Sequence, residues 1–190
     1  MRDKKNIKSI SKIQSGYTFR TALKADKNGN ITVLQAKDIN DLYIDDNKLI
    51  KINHQLSKSN AIIKKNDVLF SVRGKFKASV YSGNLNNLVA SSSVYILRIN
   101  DKNIIPEFLA IYLNSSTGQR EIYKSLTGGA IKTILRKDLE NISVSIPDVN
   151  KQKIIINLHK NNIALQNKLD FKKIIINNIT EKAISKILIK

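Results

Sequence analysis

The first 147 residues alternate between short apolar runs and polar turns. Runs of four to six residues that are rich in β-branched side chains predict strands, and they lie at 31–36, 49–53, 67–72, 78–81, 94–99 and 142–146. Polar clusters predict turns between them. One helix is predicted to begin at Pro106, and a second over residues 118–126, ended by Gly128-Gly129. Strands followed by helices and one more strand predict an α+β domain.

The pattern changes after Pro147. No Pro or Gly occurs from Lys151 to Lys190, and a helix over this segment would extend about 60 Å. One seam advances in steps of three and four residues, the spacing of a coiled coil. The seam comprises Ile155, Leu158, Asn162, Leu165, Leu169, Lys172, Ile176, Ile179, Ala183 and Ile187. A second stripe, consisting of Ile163, Ile174, Ile175, Ile184 and Leu188, indicates burial wider than a two-stranded seam provides.

Two interpretations of this segment remain open, because the helix could fold back on its own domain or pair with another helix. Pairing is favoured, since so long an arm outreaches a core of this size. Asn162 could fix the register of a pair, whereas Lys172 would be costly at a dry seam. We therefore expect a globular domain over residues 1–147 and a coiled-coil-type helix for association over residues 148–190.

The charge indicates what the globular domain binds. The chain has 33 Lys and Arg against 15 Asp and Glu, a formal charge of +18. Such an excess favours a polyanion, most often nucleic acid. A codon bias would explain Lys over Arg but not the shortage of acids, and a membrane-surface helix would need more aromatic anchors. With no Cys, no apolar run near ~20 residues and no signal-like N-terminus, we expect a cytoplasmic protein without membrane contact.

The motifs of nucleotide and metal chemistry are incomplete. Lys132-Thr133 follows Ile131, whereas a P-loop needs glycine at that position to curl around phosphates. His54 and His159 have no metal partner at ligand spacing, so a surface or hydrogen-bonding role is expected for His54.

Two DNA-modifying activities are also disfavoured. Amino-methylating methyltransferases need an Asn/Asp-Pro-Pro-Tyr/Phe loop, but Pro106 and Pro147 are the only prolines and are not adjacent. Pro147-Asp148 with Asp170-Phe171-Lys172 formally matches a nuclease pattern, yet the second half falls along the predicted helix, too far from the first to share a metal. We expect no catalytic residues, no bound metal and no cofactor.

Three polar segments could contact a duplex: residues 15–27, 71–79 and 128–138. Their cations could meet phosphates, and their glycines allow close backbone approach. With Lys37, we predict the DNA-binding set Arg20, Lys24, Lys37, Arg73, Lys75, Lys77, Lys132, Thr133 and Arg136. For each segment alone, a structural role and DNA contact remain equally open. The third segment could hold a DNA phosphate or serve only as a helix-terminating turn before the long arm.

Several stretches of the sequence follow one another in an order that resembles a known protein family. "IKSISKIQSG" precedes "VLQAKDIND", "IIKKNDVLFSVRG" and "IIPEFLAIYLNSSTGQREIYKSLTGGAIKTILRKDLENISVSIP". The order resembles a target recognition domain of type I restriction–modification specificity subunits. "KQKIIINLHKNNIALQN" then resembles the helical conserved region of that family. One departure is Lys151-Gln152, where the family usually has Glu-Gln, which should weaken a local cap.

The resemblance implies a non-catalytic subunit that directs partner methyltransferase subunits, and possibly restriction subunits, to double-stranded DNA. S-adenosylmethionine would then be bound by the partner. A full specificity subunit looks like two recognition domains and two helices, so this chain resembles half of one. Two copies could pair their helices by twofold symmetry and read inverted half-sites as a homodimer. Two alternatives remain open: a basic coiled-coil interaction protein and a silent recognition cassette.

Overall fold

The computed structural model describes residues 3–56, 61–126 and 132–188. Its strands are β1 (Asp3–Asn6), β2 (Ser11–Ser15), β3 (Ile31–Leu34), β4 (Ile50–Ile52), β5 (Val68–Ser71), β6 (Ala78–Val80), β7 (Leu88–Ala90), β8 (Val94–Ile99) and β9 (Ser143–Ile146). Its α-helices are α1 (Ile7–Ile10), α2 (Pro106–Asn114), α3 (Ser116–Lys124), α4 (Arg136–Asn141) and α5 (Val149–Leu188). Single turns of 3-10 helix occur at Ala36–Asp38 and Asp46–Lys48. This arrangement confirms the predicted α+β class with a long C-terminal helix.

Two sheets and one strand pair organise the described strands. The larger sheet has the order β2-β8-β5-β6 and is antiparallel. The smaller sheet has the order β4-β3-β7, in which β3 runs antiparallel to β4 and parallel to β7. Strand β1 pairs with β9. Because only residues 91–93 separate β7 from β8, the chain passes directly from the smaller sheet into the larger one.

The main core lies between the two sheets. Leu34 and Leu88 of the smaller sheet share one buried cluster with Leu69 and Ile96 of the larger sheet. Val33 points to the opposite face of β3 and belongs to a second buried cluster. Both faces of the smaller sheet are therefore covered, which explains why all four residues of β3 are buried.

Helix α2 closes the edge of the larger sheet at β6. The carboxamide of Asn114, at the end of α2, accepts the Ala78 N–H at 2.8 Å and donates to the Ala78 carbonyl at 2.7 Å. These two bonds replace those that another strand would make to β6, and so protect an edge that could otherwise pair with another chain. Ser115 then accepts the Gly118 N–H at 3.2 Å and caps α3.

The six strands predicted from apolar runs are all present, with the predicted bounds or shorter ones. Strands β1, β2 and β7 and the short helices α1 and α4 were not predicted. The second predicted helix is found as α3, two residues nearer the N-terminus. Gly128-Gly129 lies outside the described residues.

Helix α5 begins at a carboxylate cap. Asp148 Oδ1 accepts the Lys151 N–H at 3.0 Å, and the Lys151 ammonium lies 2.9 Å from Asp148 Oδ2. Hydrogen bonds from the Lys151 side chain and backbone lower the pKa of the Asp148 carboxyl. We expected Lys151 to weaken the cap, but in the structure it is the residue that Asp148 binds.

The chain divides into two compact units, residues up to Gln152 and residues from Lys153 onward. The first unit contains both sheets and the first turn of α5. The second is the rest of that helix. The functional boundary predicted between residues 147 and 148 stays a prediction.

Gln152 ties the first turn of α5 into the first unit. Its side chain is fully buried, and Oε1 accepts the Ile105 N–H at 2.9 Å. Nε2 donates to the carbonyls of Asn103 and Pro147 at 2.8 and 2.9 Å. One side chain thus satisfies three backbone groups from two segments far apart in sequence.

We predict that Gln152→Ala lowers the free energy of unfolding by about 3 kcal/mol, because it leaves three backbone groups without their partner. Urea denaturation measures the change. Gln166→Ala, at an exposed position of α5, is the matched control and should leave stability within about 0.5 kcal/mol. Equal stabilities for the two variants would contradict the role assigned to Gln152.

Gly16 holds the end of β2 against the segment that joins the sheets. Its N–H donates to the Val94 carbonyl at 3.0 Å, and the Tyr17 N–H donates to the Ala90 carbonyl at 2.7 Å. A Cβ at Gly16 would lie 2.0 Å from the Ser91 carbonyl oxygen. This backbone approach leaves no room for a side chain.

We predict that Gly16→Ala lowers the free energy of unfolding by about 1–3 kcal/mol, because the added methyl group must push two backbone segments apart. Ser15→Ala, at the exposed neighbouring position, serves as the control. Thermal or urea unfolding of the two variants gives the comparison. A Gly16→Ala variant as stable as Ser15→Ala would show that the segments separate at no cost.

Candidate nucleic-acid interface

A groove of about 1020 Å³ opens beside β2, an edge strand of the larger sheet. It is lined by residues 12–18, 20, 21, 54, 55, 61 and 136. Strand β2 forms one side, and the loop that follows Gly16 forms another. Because side chains alternate along a strand, Lys12 and Gln14 lie on the same face of β2. The groove is larger than most small-molecule pockets, which suits a polymer.

The charged residues that line the groove are all basic. Lys12, Arg20 and Arg136 contribute to its surface and are exposed. Among the described lining residues there is no Asp or Glu. Arg136 Nε lies 2.7 Å from Glu140 Oε1 one turn further along α4, and such an exposed pair orients the guanidinium without holding it tightly. The groove is therefore positively charged, as an interface with phosphates requires.

Tyr95 of β8 positions the start of α4 beside the groove. Burial raises the pKa of the Tyr95 hydroxyl, and a hydrogen bond with the backbone of Arg136 partly opposes that shift. The phenol is therefore neutral at physiological pH. Arg136 is held next to the larger sheet by its backbone, which leaves its side chain for the groove.

An aromatic cluster borders the groove, and two of its three members, Tyr17 and His54, line it. The ring centroids of Tyr17, Phe19 and His54 lie 4.8 to 5.4 Å apart in edge-on pairs, and His54 Nε2 is 3.3 Å from the Tyr17 hydroxyl. The side chain of Asn30 accepts the His54 N–H at 2.9 Å and donates to the His54 carbonyl at 3.1 Å. Hydrogen bonds therefore hold His54 at its backbone, through Asn30, and at its ring, through Tyr17. His54 thus has the hydrogen-bonding role expected for it.

Two of the predicted segments lie side by side. Arg73 forms an antiparallel bridge with Thr133, and the Ile134 N–H donates to the Val72 carbonyl at 3.1 Å. Gly74 adopts a positive φ of 71°, which glycine tolerates best. The structure thus joins residues 71–79 to residues 132–136, although about sixty positions separate them along the chain.

The predicted cations on these two segments differ in exposure. Arg73 and Lys75 are exposed, whereas Lys77 is half-buried and its N–H donates to Ser71 Oγ at 3.0 Å. Lys132 is exposed, with Nζ 5.2 Å from the centre of the Tyr123 ring. A cation over an aromatic face is held loosely and stays able to bind an anion.

Arg136 connects the two surfaces. It lines the groove, and it follows Ile134, which is bonded to Val72 beside Arg73. The groove therefore contains Arg20 and Arg136 of the predicted set, and Arg73 and Thr133 lie beside one another. Lys24 and Lys37 are exposed but do not line the groove.

Several lining residues were missed by sequence reasoning: Lys12, Gln14, His54 and Gln55. The alternation of Lys12 and Gln14 with Ser11 and Ile13 was the available signal for a strand with one polar face. No local signal places His54 and Gln55 there, because residues far apart in sequence bring them to the groove.

Helix α5 exposes its predicted seam. Leu158, Leu165, Leu169, Ile179 and Ile187 are between 56% and 75% exposed. Ile176 is 51% exposed, Ile155 is half-buried, and Asn162, Lys172 and Ala183 are exposed. Of the second stripe, Ile163 is half-buried and the other four side chains are exposed. A row of large apolar side chains this long marks an interaction surface.

Two further findings limit the chemistry. Among the described residues, no group of three or more His, Cys, Asp or Glu side chains is placed to hold a metal ion. Within the same ranges, no helix combines the length and the apolar character needed to cross a bilayer.

Two of the solved structures that share this fold are specificity subunits. The HsdS subunit from Thermoanaerobacter tengcongensis superposes with a TM-score of 0.60 at 19% identity, over 87% of this chain and 39% of that one. The type I restriction-modification S subunit from M. genitalium gives 0.53 at 20% identity, over 82% and 37%. A chain from a structural study of complex assembly and conformational transition in the type I R-M system gives 0.63 at 18% identity, over 86% and 38%.

Sequence comparison agrees. The type I restriction enzyme EcoBI specificity subunit of Escherichia coli is 31% identical over 136 residues, which cover 69% of this chain. Those residues span 28% of the Escherichia coli protein, so this chain matches just over a quarter of that relative's length. The family model of the type I restriction modification DNA specificity domain matches residues 2–181. Since that match spans nearly all of the sequence, the chain belongs to the family of type I restriction modification DNA specificity domains.

Proposed function

We propose that this protein is a non-catalytic, sequence-specific DNA-binding subunit that directs partner methyltransferase subunits to their target. The observation that carries the proposal is the basic groove beside β2, in which Arg20 and Arg136 converge from segments far apart in the chain. It supports DNA binding more strongly than the overall charge does, because a shaped surface of cations and amides can also read bases.

The cations supply affinity. Arg73, Lys75 and Lys132 are exposed on the two bridged segments beside Arg136 and can bind backbone phosphates. Neutralising phosphates releases counterions, so the binding constant falls as the salt concentration rises. These contacts fix the position of the domain on the duplex and carry no sequence information themselves.

The long helix supplies assembly. Its seam of exposed apolar side chains supports pairing with a second copy, which is the simplest way to bury the same surface on both partners. Two recognition domains related by a twofold axis would read identical half-sites in inverted orientation. The relatives are longer than this chain, and a homodimer of half-subunits would restore a second domain and a second helix.

The second stripe of α5 supports a further partner. A two-stranded pair covers only a narrow seam, so Ile174, Ile184 and Leu188 would stay exposed in a homodimer alone. We assign this stripe to the methyltransferase subunit, which would bind S-adenosylmethionine and perform the reaction in the cytoplasm. The specificity subunit itself needs no cofactor, and a restriction subunit would dock to the same assembly where one exists.

We predict that the protein binds random-sequence duplexes at low salt and selects one consensus from a randomised pool. Lys132→Ala should weaken binding equally for all sequences and reduce the slope of log K against log salt by about one unit, because one phosphate contact is lost. Fluorescence anisotropy over a salt series measures both quantities. Lys48→Ala, at an exposed lysine outside the groove and the two bridged segments, is the control.

The outcomes of this experiment separate the alternatives. No binding at low salt would leave a basic coiled-coil interaction protein. A consensus that stays unmethylated when the protein is co-expressed with a methyltransferase subunit would indicate a silent cassette, whose domain folds but no longer assembles. An unchanged slope for Lys132→Ala would leave the segment after Gly128-Gly129 as a helix-terminating turn.

We predict that Ile176→Asp/Ile179→Asp abolishes self-association, because two carboxylates would be buried at an apolar seam. Sedimentation of the full chain at roughly tens of micromolar should show a dimer for the unmodified protein and a monomer for the variant. Asn167→Asp/Asn178→Asp adds the same charge at exposed positions away from the seam and should remain dimeric. A monomeric unmodified protein, or an unchanged dimer for the first variant, would contradict the homodimer.

A further inference from the structure

Gln14 has an unusual hydrogen-bonding state for a residue in a rigid strand. Its Oε1 atom is buried and has no hydrogen-bond partner, a state shared among the described residues only with Thr32 Oγ1 and Asp46 Oδ1. Of these three residues, Gln14 is the one that lines the groove. An amide oxygen left without a donor is unfavourable in the free protein.

The backbone of Gln14 is firmly placed. Strand β2 pairs with β8 over five residues, and Gln14 lies opposite Ile96. Gly16, two residues later, packs against the Ser91 backbone. The terminal torsion of a glutamine is soft, so the amide can rotate toward the groove without giving up a hydrogen bond at Oε1. Gln14 therefore has a backbone fixed by strand pairing and a side-chain acceptor, Oε1, without a hydrogen-bond donor.

The chemistry of that acceptor restricts what it can bind in DNA. Phosphate and deoxyribose oxygens within a duplex accept hydrogen bonds and donate none, so Lys12, Arg20 and Arg136 can bind them but Gln14 Oε1 cannot. The donors of a duplex are the base amino groups. In the major groove these belong to adenine and cytosine.

The second half of the amide distinguishes those two bases. Gln14 Nε2 is a donor next to the acceptor, and adenine presents an N7 acceptor next to its N6 donor. Cytosine offers the amino donor without that neighbouring acceptor. Given the DNA-binding role proposed above, we propose that Gln14 reads an adenine in the major groove through a bidentate contact, while the surrounding cations hold the phosphates.

Selection from a randomised duplex pool with the full-length protein tests this assignment. The unmodified protein should select a half-site with an adenine that Gln14→Ala no longer distinguishes, with discrimination reduced by roughly 5- to 150-fold at that position alone. Gln14→Glu should shift the preference there to cytosine, because a carboxylate accepts from the cytosine amino group and cannot donate to N7. Gln166→Ala, an exposed glutamine outside the groove lining, should leave the consensus unchanged.

A stability measurement tests the proposal on the free protein, without DNA. Gln14→Met preserves length and removes the unpaired acceptor, so its unfolding midpoint should equal or exceed that of the unmodified protein. A clear decrease would show that the amide is engaged in the free fold, and would overturn the proposal.

The outcomes distinguish the two levels of inference. If the unmodified protein selects no consensus, the DNA-recognition function itself fails. If it selects one and Gln14→Ala retains every base preference, only the role of Gln14 fails. Loss of a guanine preference in Gln14→Ala would overturn the assignment to adenine.

Discussion

The backbone approach of Gly16 to Ser91 is the constraint on which the two sheets and the groove all depend. The Ser91 N–H donates to the Leu34 carbonyl of the smaller sheet at 2.8 Å, and the Val94 carbonyl accepts the Gly16 N–H next to the larger sheet. Residues 91–93 therefore join the end of the smaller sheet to the start of the larger sheet. The groove loop after Gly16 starts against this junction. Because hydrogen bonds hold this junction on each side, the loop after Gly16 follows the position of both sheets. The backbone from which Arg20 extends is therefore held in place at its start, and a surface that reads bases would need such support.

Gln152 performs a comparable task at the other end of the first unit. Its side chain connects the start of α5 to the segment before α2 and to Pro147 after β9, by hydrogen bonds to backbone groups of those segments. Side chains beyond it along α5 are mostly exposed. The large apolar side chains of the first unit are mostly buried, whereas most of those along α5 after Gln152 are exposed.

The sequence was sufficient for the class of fold and the long helix, which the structure confirms, and for the family, which the family model confirms. Membership of that family also confirms the expected non-catalytic role. Strands β3, β5 and β8 were predictable because most of their residues are β-branched, aromatic or otherwise apolar. Strand β2 was missed because its five residues contain a single large apolar side chain, Ile13, and β7 was missed because three residues are too few to show a period. The groove could not be predicted either. Arg136 meets Arg20 only because Ile134 pairs with Val72 and Tyr95 bonds to the Arg136 backbone, and such long-range contacts leave no local pattern.

The two proposed activities, pairing of α5 and DNA binding, should respond to salt in opposite directions. Both responses follow from the excess of basic over acidic residues. Residues 151–190 carry nine basic and two acidic side chains, so two copies of α5 repel each other as they pair. Burial of the apolar seam must offset that repulsion, and added salt reduces it, since charges separated by more than about 8 Å are largely screened at physiological ionic strength. The same salt weakens DNA binding through counterion release. The proposed dimer should therefore be weakest and DNA binding strongest at low salt, and at high salt a dimer without DNA should be the stable species.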